Sequence, residues 1–205
     1  LVGLFASIGI KKGQPFAPDA RMQKILKDAA AIGNASARSL VFRPRDAAVY
    51  FYPDRRWYTS FIGGHDFMDN GEMKIDGRSI FHYVATGITP AMSMPKVGTG
   101  SAYAFTPHDA DGNYLDGGNT YKVTLPAPIP VNNFWSFMVY SGQHRSMLET
   151  DQKEAGLDSN SPTIKQNDDK SYTVWFGPKA PKGHEDNWIQ TMHGKSFNVL
   201  LRLYG

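Results

Sequence analysis

The sequence predicts a mainly β chain: a jelly-roll-like antiparallel β-sandwich with a short N-terminal helical segment. Three observations lead there. Aromatic residues make up 13% of the 205 residues, beside 20 glycines and 13 prolines, a composition that favours strands broken by tight turns. Several short segments of the second half alternate apolar and polar side chains. The stretch Asn132-Asn133-Phe134-Trp135-Ser136-Phe137-Met138-Val139-Tyr140 is largely apolar on both faces. Phe134, Ser136, Met138 and Tyr140 lie one way and Trp135, Phe137 and Val139 the other, as in a central strand covered on both sides.

Residues 1–10 are apolar with a loose helical spacing, and residues 11–18 read as a link containing Gly13, Pro15 and Pro18. Asp19 is placed to cap a helix, along which Met22, Ile25, Leu26, Ala29 and Ile32 form an apolar side. That side must pack on something. Gly33-Asn34 is placed to close the helix, with a second helical turn over residues 35–40. Residues 1–40 are therefore expected as a helical and linker segment, and residues 41–205 as the sandwich. The apolar start and the stop at Gly205 predict that both belong to a longer chain. From Val41 the pattern turns to β, with strands expected over 49–52 and 57–62. Gly63-Gly64 and Asp69-Asn70-Gly71 mark turns. A strand is expected over 80–85, then a long loop over 86–100 rich in glycine and proline. Strands follow over 101–106, 121–125, 134–140 and 197–203. Residues 163–166 and 172–176 flank Asn167-Asp168-Asp169-Lys170 as a hairpin.

Charge narrows the function classes. The formal net charge is +3, and the basic residues are scattered rather than gathered into a stripe with aromatics. This argues against a nucleic-acid partner. The absence of cysteine excludes disulfides, thiolate metal sites and cysteine nucleophiles. No apolar run reaches the length of a transmembrane helix.

Several motifs form one ordered series. They are Thr86-Gly87-Ile88-Thr89-Pro90-Ala91-Met92, Asp109-Ala110-Asp111-Gly112-Asn113, Leu115-Asp116-Gly117 and Phe134-Trp135-Ser136. Arg145-Ser146-Met147-Leu148, Phe176-Gly177-Pro178-Lys179-Ala180-Pro181, Asn187-Trp188-Ile189-Gln190-Thr191 and Leu201-Arg202-Leu203-Tyr204-Gly205 continue it. The series resembles the bacterial family called domain of unknown function twelve-fourteen. That domain usually follows another, domain of unknown function twelve-fifty-four, and residues 8–19 resemble the segment joining the two. The resemblance implies a jelly-roll domain in exported proteins, periplasmic or secreted, preceded by a β-rich domain and running on past Gly205. It brings no catalytic residues. The sequence departs from the family pattern at Lys170, where glycine is usual, and at Ser141 and His144, where aspartate and threonine are common.

Each chemical constellation has a bland reading beside it. Asp109, Asp111, Asn113 and Asp116 crowd oxygens as calcium would need, but Tyr114 stands where an EF-hand loop needs glycine, so a plain turn is preferred. The six histidines show no zinc spacing, and no metal or cofactor is expected. Gly98-Thr99-Gly100-Ser101 lacks the lysine of a phosphate loop, and no G-x-S-x-G elbow occurs. Asp151, Asp168, Asp169, Glu185 and Asp186 could supply a pair for acid–base hydrolysis or be solvated loop acids. Trp135 reads as core. The ligand-binding candidates are Trp188, Asn187, Asp186, Glu185 and Arg202. They combine an aromatic face, an amide and acids on a loop, with an arginine for which Asp186 would be a suitable partner. The function expected is a binding or structural module for a glycan or another polymer, or for a partner subunit in an oligomer. The alternative is a hydrolase of glycosidic or amide bonds, its site shared with a preceding domain.

Overall fold

A computed structural model describes residues 2–96 and 98–205. Leu1, which begins the expected apolar stretch, and Val97, within the expected 86–100 loop, lie outside the described residues. Helix α1 (Val2–Ser7) is followed by α2 (Ala20–Phe42), strands β1 (Met68–Asp69) and β2 (Glu72–Met73), α3 (Ile75–Val84) and α4 (Pro90–Ser93). The β region then runs β3 (Ser101–Thr106), β4 (Tyr121–Leu125), β5 (Phe134–Ser141), β6 (Gly156–Asp158), β7 (Tyr172–Gly177), β8 (Trp188–Gln190) and β9 (Phe197–Tyr204). The chain is mainly β. Among the described residues no helix is long and apolar enough to cross a membrane.

Two sheets face each other. One has the order β3-β9-β5-β6, all antiparallel, and the other β4-β7-β8, in which β7 and β8 run parallel. Strand alternation makes the shared core. Trp135, Phe137 and Val139 of β5 and Phe197 and Val199 of β9 meet Val174 and Phe176 of β7 and Ile189 of β8. Phe137 and Phe176 stand edge to face with ring centres 5.6 Å apart. Each such side chain contributes about 1.5–3 kcal/mol through burial. The other face of the four-stranded sheet carries a second core. There Phe105 and Leu200 pack with Val41, Phe42, Val49, Tyr58 and Ile80. β5 is thus an inner strand of a middle layer, as its two-sided apolar pattern predicts.

Asp19 caps α2 as expected, its carboxylate accepting from the Met22 N–H at 2.7 Å. The helix does not close at Gly33-Asn34 but continues to Phe42. Gly33 costs about 1 kcal/mol in a helix interior, and burial of Val41 and Phe42 in the second core outweighs it. The helix is consequently longer than the short segment expected. Its apolar side is only partly used: Ile25 is 41% exposed and Ile32 67%.

Other expectations are corrected. Residues 80–84 belong to α3, capped by Ala85, rather than to a strand: Ile80 and Val84 lie against the second core, and Phe81 is buried beside Phe61 and Phe67. Gly77 lets that helix approach closely; a Cβ there would lie 2.6 Å from the Ile62 carbonyl oxygen. Residues 49–52 and 57–62 form no strands, only the bridges Tyr50–Tyr58 and Tyr58–Phe105. Residues 163–166 are not a strand, although Lys170 N–H does donate to the Asn167 carbonyl and turns the chain. The Asp69-Asn70-Gly71 turn signal does join a hairpin, β1 to β2. Strands β6 and β8 carried too few residues for their alternation to be recognised.

A cleft between the sheets and the candidate binding residues

Alternation along β3 places Ala102, Ala104 and Thr106 toward the second sheet, and Tyr103 and Phe105 away from it. Two alanines where neighbouring strands carry Leu201, Leu203 and Val199 leave space. The result is a cleft of about 1010 Å³ between β3 and β9 on one side and β4 on the other. Its walls are apolar: Trp57, Tyr121, Val123, Leu125, Leu201 and Leu203. Trp57 leans on the core, its ring 6.2 Å from Phe137. The solvent end carries Phe51, Tyr52, Arg55 and Arg56 with the turn bearing Asp109 and Asp111.

That turn is built by its own first residue. Asp109 Oδ1 accepts from the backbone N–H of Asp111 at 3.0 Å and of Asn113 at 2.8 Å, and Oδ2 accepts from the Asn113 amide at 3.3 Å. Its oxygens thus hold a loop together, as the plain-turn reading expects. Beside it His108 is nearly buried against Tyr114, with ring centres 4.7 Å apart. Burial, then the nearby Arg43 and Arg56, push its pKa below the usual histidine value, so the ring stays neutral.

The residues proposed from sequence fall into two places. Glu185, Asp186 and Asn187 form a short 3-10 turn, and Trp188 opens β8. Asn187 is 6% exposed, and its amide is spent internally. Its Oδ1 accepts from Lys165 N–H, while its Nδ2 donates to the Lys165 and Thr173 carbonyls, all within 2.9 Å. Trp188 is half-buried and its indole N–H donates to the Gly177 carbonyl at 2.9 Å. Glu185 accepts from Gly183 N–H, and backbone N–H groups, its own first, hold its carboxyl below the usual range. Asp186 pairs with Lys165 at 2.5 Å.

Arg202 is in the other sheet. It projects from the face opposite the shared core, and donates to the Tyr204 hydroxyl from Nε at 3.1 Å and Nη2 at 2.7 Å. The expected Asp186–Arg202 pair is therefore corrected: Asp186 sits in the turn before β8 and pairs with Lys165, while Arg202 lies on β9 of the other sheet and donates to Tyr204. Sequence reasoning missed the cleft residues because they come from separated segments. The one local signal is the small-large alternation Ala102-Tyr103-Ala104-Phe105, which announces an under-filled face.

A mainly β sandwich with helices on one outer face and an apolar inter-sheet cleft is the class these observations define. Residues 100–205, just over half of the chain, match the family described as Protein of unknown function (DUF1214), and the chain belongs to that family. No curated protein matches it. Among solved structures it is similar to the VPA0106 protein from Vibrio parahaemolyticus, at 20% identity and a TM-score of 0.49. That likeness covers 100% of this chain and 45% of the other. An uncharacterized protein from Burkholderia cenocepacia is similar at 13% identity and a TM-score of 0.39, covering 99% of this chain and 43% of the other. The chain thus spans less than half the length of these structures.

Proposed function

We propose that the chain is a binding module whose ligand enters the cleft between the two sheets. The observation that carries this reading is the cleft itself: about 1010 Å³, apolar in its walls and charged at its solvent end. Small-molecule sites are concave, mostly apolar and roughly 300–1,000 Å³, with a few polar groups that orient the ligand. The ligand class that fits has an elongated apolar body and a polar head, with Arg55 and Arg56 placed to meet that head. Binding is favoured over hydrolysis, because a general acid and base must reach the reacting bond. The acids at this cleft are Asp54, Asp109 and Asp111; Asp54 pairs with Arg55 at 3.2 Å, and the carboxylate of Asp109 is engaged by backbone N–H groups.

The experiment is titration with a fluorescent fatty-acid analogue. Wild-type protein is expected to bind it with increased emission. Ala104→Phe places a ring in the cleft and is expected to weaken binding at least roughly tenfold, about 1.4 kcal/mol. No binding by wild type, or undiminished binding by a folded Ala104→Phe protein, overturns the proposal.

A second reading rests on Phe51 and Tyr52, 48% and 63% exposed at the same opening. Aromatic faces beside arginine and carboxylate groups suit sugar rings, which would make a glycan or similar polymer the ligand along the rim. A glycan array separates the two: glycan binding lost in Tyr52→Ala but kept in Ala104→Phe favours the rim.

A further inference from the structure

The outer face of the four-stranded sheet carries a second, smaller hollow, independent of the cleft. It measures about 210 Å³ and lies between the sheet and the α3–α4 region. Phe61, Phe81, Phe105 and Leu200 form its apolar part, and Tyr140, Arg145 and Asn198 its polar part. Register explains the polar group: Tyr140 of β5 and Asn198 of β9 are cross-strand neighbours on this face.

Asn198 is 3% exposed and lines the hollow. Arg145 holds a left-handed backbone, φ 64°, which a non-glycine residue adopts at a cost. Its guanidinium rests 4.1 Å from the centre of the Tyr83 ring, and no carboxylate pairs with it among the described residues. Tyr140 points into the same space. Burial pushes its pKa up, so its hydroxyl stays protonated and can donate.

Two rows along the sheet, beyond Met138, Leu200 and Phe105, the residues Ser136, Arg202 and Tyr103 lie side by side on adjacent strands of this face. Among the described residues the Ser136 hydroxyl is buried without a partner, and Arg202 donates to the Tyr204 hydroxyl. Asp158 lies beyond Ser136 on β6, with its carboxylate engaged by Asn160 N–H at 2.8 Å. Among the described residues the face thus holds two arginines without acidic partners and the unpartnered Ser136 hydroxyl near an aromatic hollow.

We propose that this hollow binds a small aromatic or branched monocarboxylate. Its acid group is received by Arg145, Asn198 and Tyr140, and its apolar body lies against Phe61, Phe81 and Leu200. The volume is below that of drug-sized sites, which restricts the ligand to about one ring with its acid group. Arginine and amide donors recognise a carboxylate through charge-assisted hydrogen bonds, whereas the aromatic wall disfavours a fully hydrated inorganic anion.

Isothermal titration with benzoate, benzamide and inorganic phosphate tests this on the whole chain. Benzoate is expected to bind, and benzamide and phosphate to bind at least roughly tenfold more weakly. Arg145→Gln and Asn198→Leu should each weaken benzoate at least roughly tenfold, with folding checked by melting temperature. If Asn198→Leu fails to fold, Arg145→Gln decides, because the Arg145 guanidinium lies over a ring surface rather than in the core. Ala104→Phe, which fills the inter-sheet cleft, should leave benzoate binding unchanged, so this site and the cleft succeed or fail separately. Absence of benzoate binding at millimolar concentration, equal binding of phosphate, or full binding by a folded Arg145→Gln protein overturns the proposal.

Discussion

Lys170 sits at φ 65°, in the left-handed region that glycine occupies freely. Its neighbours hold the turn closed: Lys170 N–H donates to the Asn167 carbonyl, and Asp169 accepts from both Ser171 N–H and Ser171 hydroxyl. The departure from the family pattern noted at this position is therefore a matter of backbone conformation. Lys170→Gly should stabilise the protein by about 0.5–1 kcal/mol, read as a raised denaturation midpoint. An unchanged or lowered midpoint would refute it. Gly117 illustrates the opposite demand: a Cβ there would stand 2.2 Å from the Met192 carbonyl oxygen, so only glycine fits. His108 adds a pH effect. Its pKa in the folded chain lies below the ordinary 6.5, so the unfolded chain binds the proton more readily. The stabilisation is present above 6.5 and is lost as pH falls through the interval down to the folded value. Stability of the wild type should therefore fall more than that of His108→Gln between about pH 8 and pH 5. Parallel curves in urea would show that His108 contributes nothing.

The joint between α2 and the β region rests on Tyr58. Its hydroxyl donates to the Val41 carbonyl in the last turn of α2, and its backbone pairs with Phe105 of β3. The ring stands edge-on to Phe105 at 5.1 Å and is 1% exposed. Burial raises its pKa far above the usual tyrosine value, so it remains a donor throughout the accessible pH range. Tyr58→Phe keeps the ring but leaves the Val41 carbonyl without this donor, and should cost about 1–3 kcal/mol. Hydrogen exchange should also rise first in residues 38–42, where the helix loses its tie. Uniform exchange through the whole chain would argue that Tyr58 serves the general core instead. The first two-thirds of α2 differ from this end. Ile25 and Ile32 are exposed while Met22 and Leu26 are half-buried, so the described residues cover the apolar side read from the sequence only in part.

At the scale of the molecule, stability centres on the layer between the sheets. Trp135 is 2% exposed and meets Phe137 and Tyr172 edge to face, at 5.8 and 5.1 Å. Trp135→Ala should cost about 3–5 kcal/mol. Loss of ligand binding at unchanged stability would instead make it part of a binding surface. The middle position of the four-stranded sheet also explains how one chain can present two unlike hollows. One face of β9 offers Leu201 and Leu203 to the cleft, while the other offers Asn198 and Leu200 to the smaller site.

Patterns confined to one element were legible in the sequence. β5 declared its two buried faces, the alternation of Tyr121, Val123 and Leu125 declared β4, and Asp19 declared the start of α2. In each the local spacing of side chains is itself the physical cause. Ile80, Phe81 and Val84 were not legible in the same way, because a short apolar run satisfies a buried strand and a buried helix equally. Only the surface that covers it decides. The partners of Asp186 and Arg202 depended on where the turn before β8 and the outer face of β9 came to lie. The cleft depended on Ala104, Val123 and Leu201 meeting across two sheets, and the smaller site on Arg145 and Asn198 meeting across one. Period and capping follow from neighbours along the chain, whereas empty volume and unpaired charge follow from neighbours in space, which tertiary structure alone brings together.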